Sequence, residues 1–170
     1  MPESPQEKLR PPLEPPEETF TPSEYEYAEL DVTTNFSFLR GASHPDELML
    51  QAARLGYRAI AVTDLNTLAG AVRMFDAARQ IAKPGWGPKL IVGARLAFTD
   101  APDLLVWAPD RSSYARLCRL LTLGRRRAPK GECHLALADF LEYSDGLLAG
   151  LVPSDGPFLP TVNAIRPLRE

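Results

Sequence analysis

Asp64 is the residue best placed by sequence to do chemistry. It follows Arg58–Thr63 (RAIAVT), a β-rich and mostly apolar run that reads as a buried parallel strand. A carboxylate directly after such a strand projects over the sheet end where metals and substrates gather. It can act there as a base or metal ligand, or it can cap the next helix or bond its own loop. Asp31 and Thr33 lie two apart on one face of an earlier short strand. That spacing lets two oxygens share one cation, although threonine is a poor ligand beside carboxylate or imidazole. The only histidines are His44 and His134, and His134 adjoins Cys133. A lone Cys-His pair falls short of zinc's three or four ligands. The other chemical feature is a run of charge. Residues 111–130 hold Arg111, Arg116, Arg119, Arg125, Arg126, Arg127 and Lys130 and no acid. Such a run can bind phosphates by counterion release, contact an acidic partner, or form a solvated face. No phosphate-binding glycine loop or nucleophile elbow is present.

The elements that carry these residues follow from composition and periodicity. The chain has 170 residues, 45% hydrophobic and 24% charged, which suits one ordinary globular domain. Its two cysteines, Cys118 and Cys133, cannot make a disulfide framework. No apolar run reaches the roughly 18 residues that span a membrane, and no apolar signal core opens the chain. A reduced, cytoplasmic location is expected. Charge and proline are unevenly placed. Residues 1–30 hold seven prolines and carry −6, whereas the remaining 140 carry +3. Residues 1–27 read as an acidic, disordered Pro/Glu-rich leader, and the stretch 153–170 as an irregular Pro-rich tail.

Between them, strands and helices alternate. Strands are expected at Ala28–Thr33, Arg58–Thr63, Leu90–Phe98, Leu104–Ala108 and Gly146–Val152. Asn35–Gly41 reads as a loop whose two aromatics pack inward. A helix follows, with Ser43 as cap, Pro45 in its first turn and Gly56 at its end. A second helix lies within Leu65–Ala82, a turn at Lys83–Pro88, a third helix at Asp110–Gly124 and a short one at Leu135–Tyr143. The alternation predicts an α/β fold with a largely parallel sheet. Asp31–Asn35, Asp64–Asn66 and Gly93–Arg95 then fall near the functional end of that sheet.

Several stretches together resemble a known family. Residues 27–80 (YAELDVTTNFSFLRGASHPDELMLQAARLGYRAIAVTDLNTLAGAVRMFDAARQ) are similar to the opening of the PHP (polymerase and histidinol phosphatase) domain of C-family bacterial DNA polymerases. LIVGARL and SYARLCRLLTLGRRRAPKGECHLALADFLEYSDGLLA resemble the error-prone branch of alpha subunits. The resemblance covers roughly residues 27–152, with the partial domain itself placed at 28–152. It implies part of a distorted (β/α) barrel of the PHP type. Five mostly parallel strands are counted of an expected seven or so, with helices outside. It also implies a place in DNA replication, repair and translesion synthesis, with DNA and other polymerase or translesion proteins as partners of the larger enzyme.

In active PHP proteins, histidines and acids at the barrel mouth hold metals for phosphoester hydrolysis. Here the opening His-x-His positions are Asp31 and Thr33, and the next ligand position is Arg40. Thr-Asp-His reads Thr63-Asp64-Leu65, and Gly-x-Glu reads Gly93-Ala94-Arg95. A later histidine position falls near Asp103. Two arginines would repel divalent cations at such a mouth. The resemblance therefore implies a vestigial site, with no cofactor expected and only Asp31, Asp64 and Asp103 left as weak metal candidates. Arg95 is expected to pair with Asp31 or Asp64. The palm that carries polymerase chemistry is not among these residues. The expected role is a scaffold that contacts DNA or partners through Arg119, Arg125, Arg126, Arg127 and Lys130. The alternatives are a metal-dependent phosphoesterase or 3′–5′ exonuclease, using zinc or manganese, and a stand-alone protein-binding module.

Overall fold

The computed structural model describes residues 26–81 and 87–153. Most of the expected leader, most of the Lys83–Pro88 turn and nearly all of the Pro-rich tail lie outside them. The described elements run β1 (Ala28–Val32), α1 (Pro45–Arg54), β2 (Ala59–Val62), α2 (Ala69–Ile81), β3 (Lys89–Leu96), β4 (Leu104–Trp107), α3 (Arg111–Arg127), α4 (Leu137–Tyr143) and β5 (Leu148–Leu151). The fold is α/β, as the alternation predicts. Among the described residues, no helix is long and apolar enough to cross a membrane.

The five strands form one sheet in the order β1-β2-β3-β4-β5. β1, β2 and β3 pair in parallel, whereas β4 pairs antiparallel with both β3 and β5. Four strands thus share a direction, but only two of the four pairings are parallel, so the sheet is mixed rather than largely parallel. The cause is local. Only seven residues separate β3 from β4, too few for a helical crossover.

Two apolar clusters cover the helix-facing side. Met49, Ala52, Ile60, Val62, Met74 and Ile81 close the parallel half under α1 and α2. Leu96, Leu104, Val106, Leu117, Leu120, Leu135 and Phe140 close the antiparallel half under α3 and α4. The other side of the sheet carries Trp107, whose indole N–H donates to the Leu30 carbonyl of β1 at 3.0 Å. In a flat sheet, strands three places apart would be separated by about 14 Å. The contact therefore requires the sheet to curl around Trp107. Glycine makes room for the ring: a Cβ at Gly93 or at Gly150 would come within 3.0 Å of it.

Helix ends differ from expectation in two places. His44, rather than Ser43, occupies the α1 cap position, and its backbone N–H donates to the Glu47 carboxylate at 2.8 Å. α3 does not stop at Gly124 but runs to Arg127. Gly124 serves close packing instead. A Cβ there would lie 2.6 Å from Leu135 Cδ2 and 2.8 Å from Cys133 Sγ. At its start, α3 is capped by Asp110, whose carboxylate accepts from Ser113 N–H at 2.8 Å and from Ser112 Oγ at 2.7 Å. Those bonds, led by the Ser113 N–H, pull the Asp110 carboxyl down to about 2.

Candidate functional site

Asp64 sits at the C-terminal end of β2, as its sequence position requires, but it faces inward and is 1% exposed. Its Oδ1 accepts from Thr34 N–H at 2.8 Å and from Ser37 Oγ at 2.7 Å. Its Oδ2 accepts from Thr34 Oγ1 at 2.8 Å. The network closes on itself. Ser37 Oγ accepts in turn from Leu65 N–H at 2.9 Å, and Thr34 Oγ1 from Phe36 N–H at 3.1 Å. Gly70 of α2 lies against the carboxylate, and a Cβ there would sit 2.5 Å from Oδ2. A buried carboxylate is costly unless such donors replace its water. Here the 34–37 loop and the β2 end fold around it.

This arrangement reverses the expected loop. Thr34 and Ser37 turn inward to reach Asp64, so the aromatics between and beside them turn outward. Phe36 lies under the Arg73 guanidinium, and Phe38 and Leu39 are 85% and 90% exposed. Leu39 adopts a left-handed φ of 61°, an uncommon conformation for its side chain.

The other positions of the expected mouth form separate small networks. Asp31 is exposed and accepts from Thr63 Oγ1 at 2.8 Å. Arg95 pairs with neither Asp31 nor Asp64. Its Nε–H donates to Asp103 Oδ2 at 2.8 Å, with both side chains about 30% exposed. The reason is register: Asp64 is buried and already accepts three hydrogen bonds, whereas Asp103 immediately precedes β4, beside β3. Thr33 and Leu65 are half-buried, and Leu65 bridges Arg95 through the backbone. Arg40 is exposed. Among the described residues, no three His, Cys, Asp or Glu side chains converge.

The donor set does not fit a divalent-metal centre. Both oxygens of Asp64 are taken up by neutral protein donors, and stripping them to bind a cation would orphan a buried amide and two hydroxyls. Asp103 is held by a guanidinium that would repel an incoming metal.

The basic run has a different character. Helix α3 places Arg119 and Arg126 on one exposed face. With Arg127 they line a groove of about 560 Å³ that also includes Thr122, Leu123 and Tyr143. Not every expected cation is free for a ligand. Arg127 clamps α4 by a bidentate pair with Asp139, at 2.6 and 2.8 Å. This bonding holds the Asp139 carboxyl below the usual carboxylate range, helped by the Ala136 N–H. Arg125 donates to the Asn66 carbonyl at 2.8 Å, and Arg116 pairs with Asp145 at 2.7 Å. Lys130 is exposed beyond the helix end and is not among the groove residues. Cys133 is partly buried, which pushes its thiol up.

Sequence reasoning missed Thr34, Ser37, Gly70, Asn66 and Tyr143. A faint signal existed for the first two. A buried strand-end carboxylate needs donors, and the nearest hydroxyl-rich loop is 33–37. Nothing local marks Tyr143 as facing α3.

Residues 29–162 match the PHP domain family. An error-prone DNA polymerase of Caulobacter vibrioides is 52% identical over 128 residues, covering 75% of this chain and 11% of the relative. Another from Rhodopseudomonas palustris strain BisB5 is 51% identical over 131 residues, covering 75% and 11%. A third from Rhodopirellula baltica is 46% identical over 129 residues, covering 76% and 11%. The chain thus spans about a tenth of the length of these curated relatives. With a family match across most of its length and relatives about half identical over three quarters of it, the chain belongs to the PHP domain family.

Proposed function

We propose that this chain is the PHP module of an error-prone DNA polymerase, and that it works as a metal-independent scaffold rather than a phosphoesterase. The polymerase reading comes from relatives about half identical to the chain. In that setting the module operates in the cytoplasm, beside DNA and other polymerase or translesion proteins, during repair synthesis. The observation that carries the scaffold reading is Asp64. The one strand-end acid kept from the metal-binding pattern spends both its oxygens on Thr34 and Ser37. Such a residue holds the 34–37 loop to β2 and α2 instead of a cation. Arg95 and Asp103 likewise close an ion pair where ligands would converge.

The test is a metal and nuclease assay on the purified chain. It is incubated with zinc or manganese, desalted, and its metal content measured. Hydrolysis of a generic phosphomonoester and of a 3′-labelled oligonucleotide is followed with and without chelator. The expected result is metal well below one equivalent and hydrolysis at background. Stoichiometric metal with chelator-sensitive cleavage would overturn the scaffold reading.

A further inference from the structure

We propose that the groove between α3 and the end of α4 binds single-stranded DNA, with Arg119 and Arg126 holding backbone phosphates and Tyr143 offering its ring to a base. The proposal deepens the polymerase reading above and rests on it for the choice of nucleic acid. The cations of residues 111–130 sort by what they touch. Arg116, Arg125 and Arg127 are held by Asp145, the Asn66 carbonyl and Asp139. Arg119 and Arg126 have no hydrogen bond or ion pair among the described residues, yet both line the same groove.

Their spacing is seven residues, close to two helical turns, so they project from one face of α3 about 10 Å apart. Two unpaired guanidiniums on one face raise the local positive potential, and an anion lying along the groove is attracted by both. Arg127 at the same wall is half-exposed, but its charge is compensated by Asp139 and by the nearby Glu142, so the positive field along the groove comes from Arg119 and Arg126. The groove is not purely ionic. Leu123 and Tyr143, which is half-buried and packs in part against the core under α3 and α4, line the groove beside the cations, and Thr122 adds a hydroxyl to the lining. Cations tracking a backbone next to an aromatic face are the elements that bind unpaired strands. A duplex hides its base faces, so Tyr143 would gain nothing from it. An acidic peptide would use the arginines and leave the ring idle.

The full chain is titrated against a fluorescent deoxythymidine oligonucleotide, and anisotropy is read at roughly 50 and 200 mM salt. The double variant Arg119→Ala/Arg126→Ala is expected to weaken binding tenfold or more and to reduce the salt slope by about 1.4, the value for two phosphate contacts on a single strand. Tyr143→Leu keeps apolar volume at the wall and is expected to weaken binding about fivefold or more with the slope unchanged. Tyr143→Phe is expected to retain it. Arg54→Ala, on the exposed end of α1, serves as the control for nonspecific charge. Thermal midpoints of all variants confirm that they fold.

The proposal fails if the chain does not bind the oligonucleotide at low salt, or if Arg54→Ala costs as much as the double variant. It also fails if Tyr143→Leu binds like the parent while polyglutamate competes as well as DNA, which would assign the groove to an acidic protein. A groove failure in a chain that is also metal-free and hydrolysis-free leaves the scaffold reading standing. Chelator-sensitive cleavage together with groove-dependent binding removes the scaffold reading alone.

Discussion

The end of β2 and the outer face of α3 treat charge in opposite ways. At β2, Asp64 is almost fully buried and each of its oxygens meets protein donors. On α3, Arg119 and Arg126 are exposed and meet no hydrogen-bond or ion-pair partner among the described residues. The carboxylate has become part of the packing, and the guanidiniums remain available to something outside. Residue type does not separate the two cases, because Arg95 and Arg127 have internal partners just as Asp64 does. What separates them is whether the fold brings a complementary group within hydrogen-bond reach. A charge with internal partners reports on stability, and one without them is left to water or to a ligand.

Substitutions at three positions probe this contrast by stability, in falling order of expected effect. Asp64→Ala leaves buried donors of Thr34 and Ser37 without an acceptor and should lower unfolding stability by about 3 kcal/mol or more in urea titration. Asp64→Asn, which keeps one acceptor oxygen, should lose less. A cost for Asp64→Ala below about 0.5 kcal/mol, the level of ordinary surface changes, would erase the distinction between the two regions.

Gly70→Ala tests how tightly α2 closes on the carboxylate. In an exposed helix the change would gain about 1 kcal/mol of propensity. Here the added Cβ meets Asp64 Oδ2, which is fixed by its bonds, so a net loss of about 1–3 kcal/mol is expected. A net gain would mean that the carboxylate can shift to make room, and that its bonds to the 34–37 loop do not fix it.

Arg127→Met sharpens the boundary within α3 itself. The Arg127 pair lowers the folded-state pKa of Asp139 below its unfolded value. Its contribution is therefore present above the ordinary carboxylate range and is lost as pH falls through the lowered folded value. The variant should reduce the thermal midpoint at pH 7 and do so less in strong acid. The effect should be the smallest of the three, because Arg127 is half-exposed and screened by water. An equal drop at both pH values would assign Arg127 to packing rather than to charge.

Much of the fold is legible from local pattern. Every expected strand and helix exists, because alternating apolar runs of strand and helix length leave few other ways to bury their faces. Differences gather where long-range contact overrules local preference. Gly124 has the local signature of a helix stop, yet it is a contact point for Leu135 and Cys133. Phe36 and Phe38 have the composition of core residues, yet Thr34 and Ser37 take the inward positions because a buried carboxylate demands donors. The β4 reversal is implicit in the short β3–β4 connection, but alternation of strands and helices alone points to parallel pairing.

The sequence by itself determined the order of elements, the identities of Asp31, Thr33 and Leu65 at the strand ends, and the density of cations on residues 111–130. Those are properties of residue identity and periodicity. Only the tertiary structure decided that Arg95 meets Asp103, that Asp64 takes three hydrogen bonds from a loop thirty residues upstream, and that Arg119 and Arg126 stay unpaired among the described residues in a groove shared with Tyr143. Partnership depends on distances between segments far apart in the chain, and hydrogen bonds and ion pairs act only over a few ångströms.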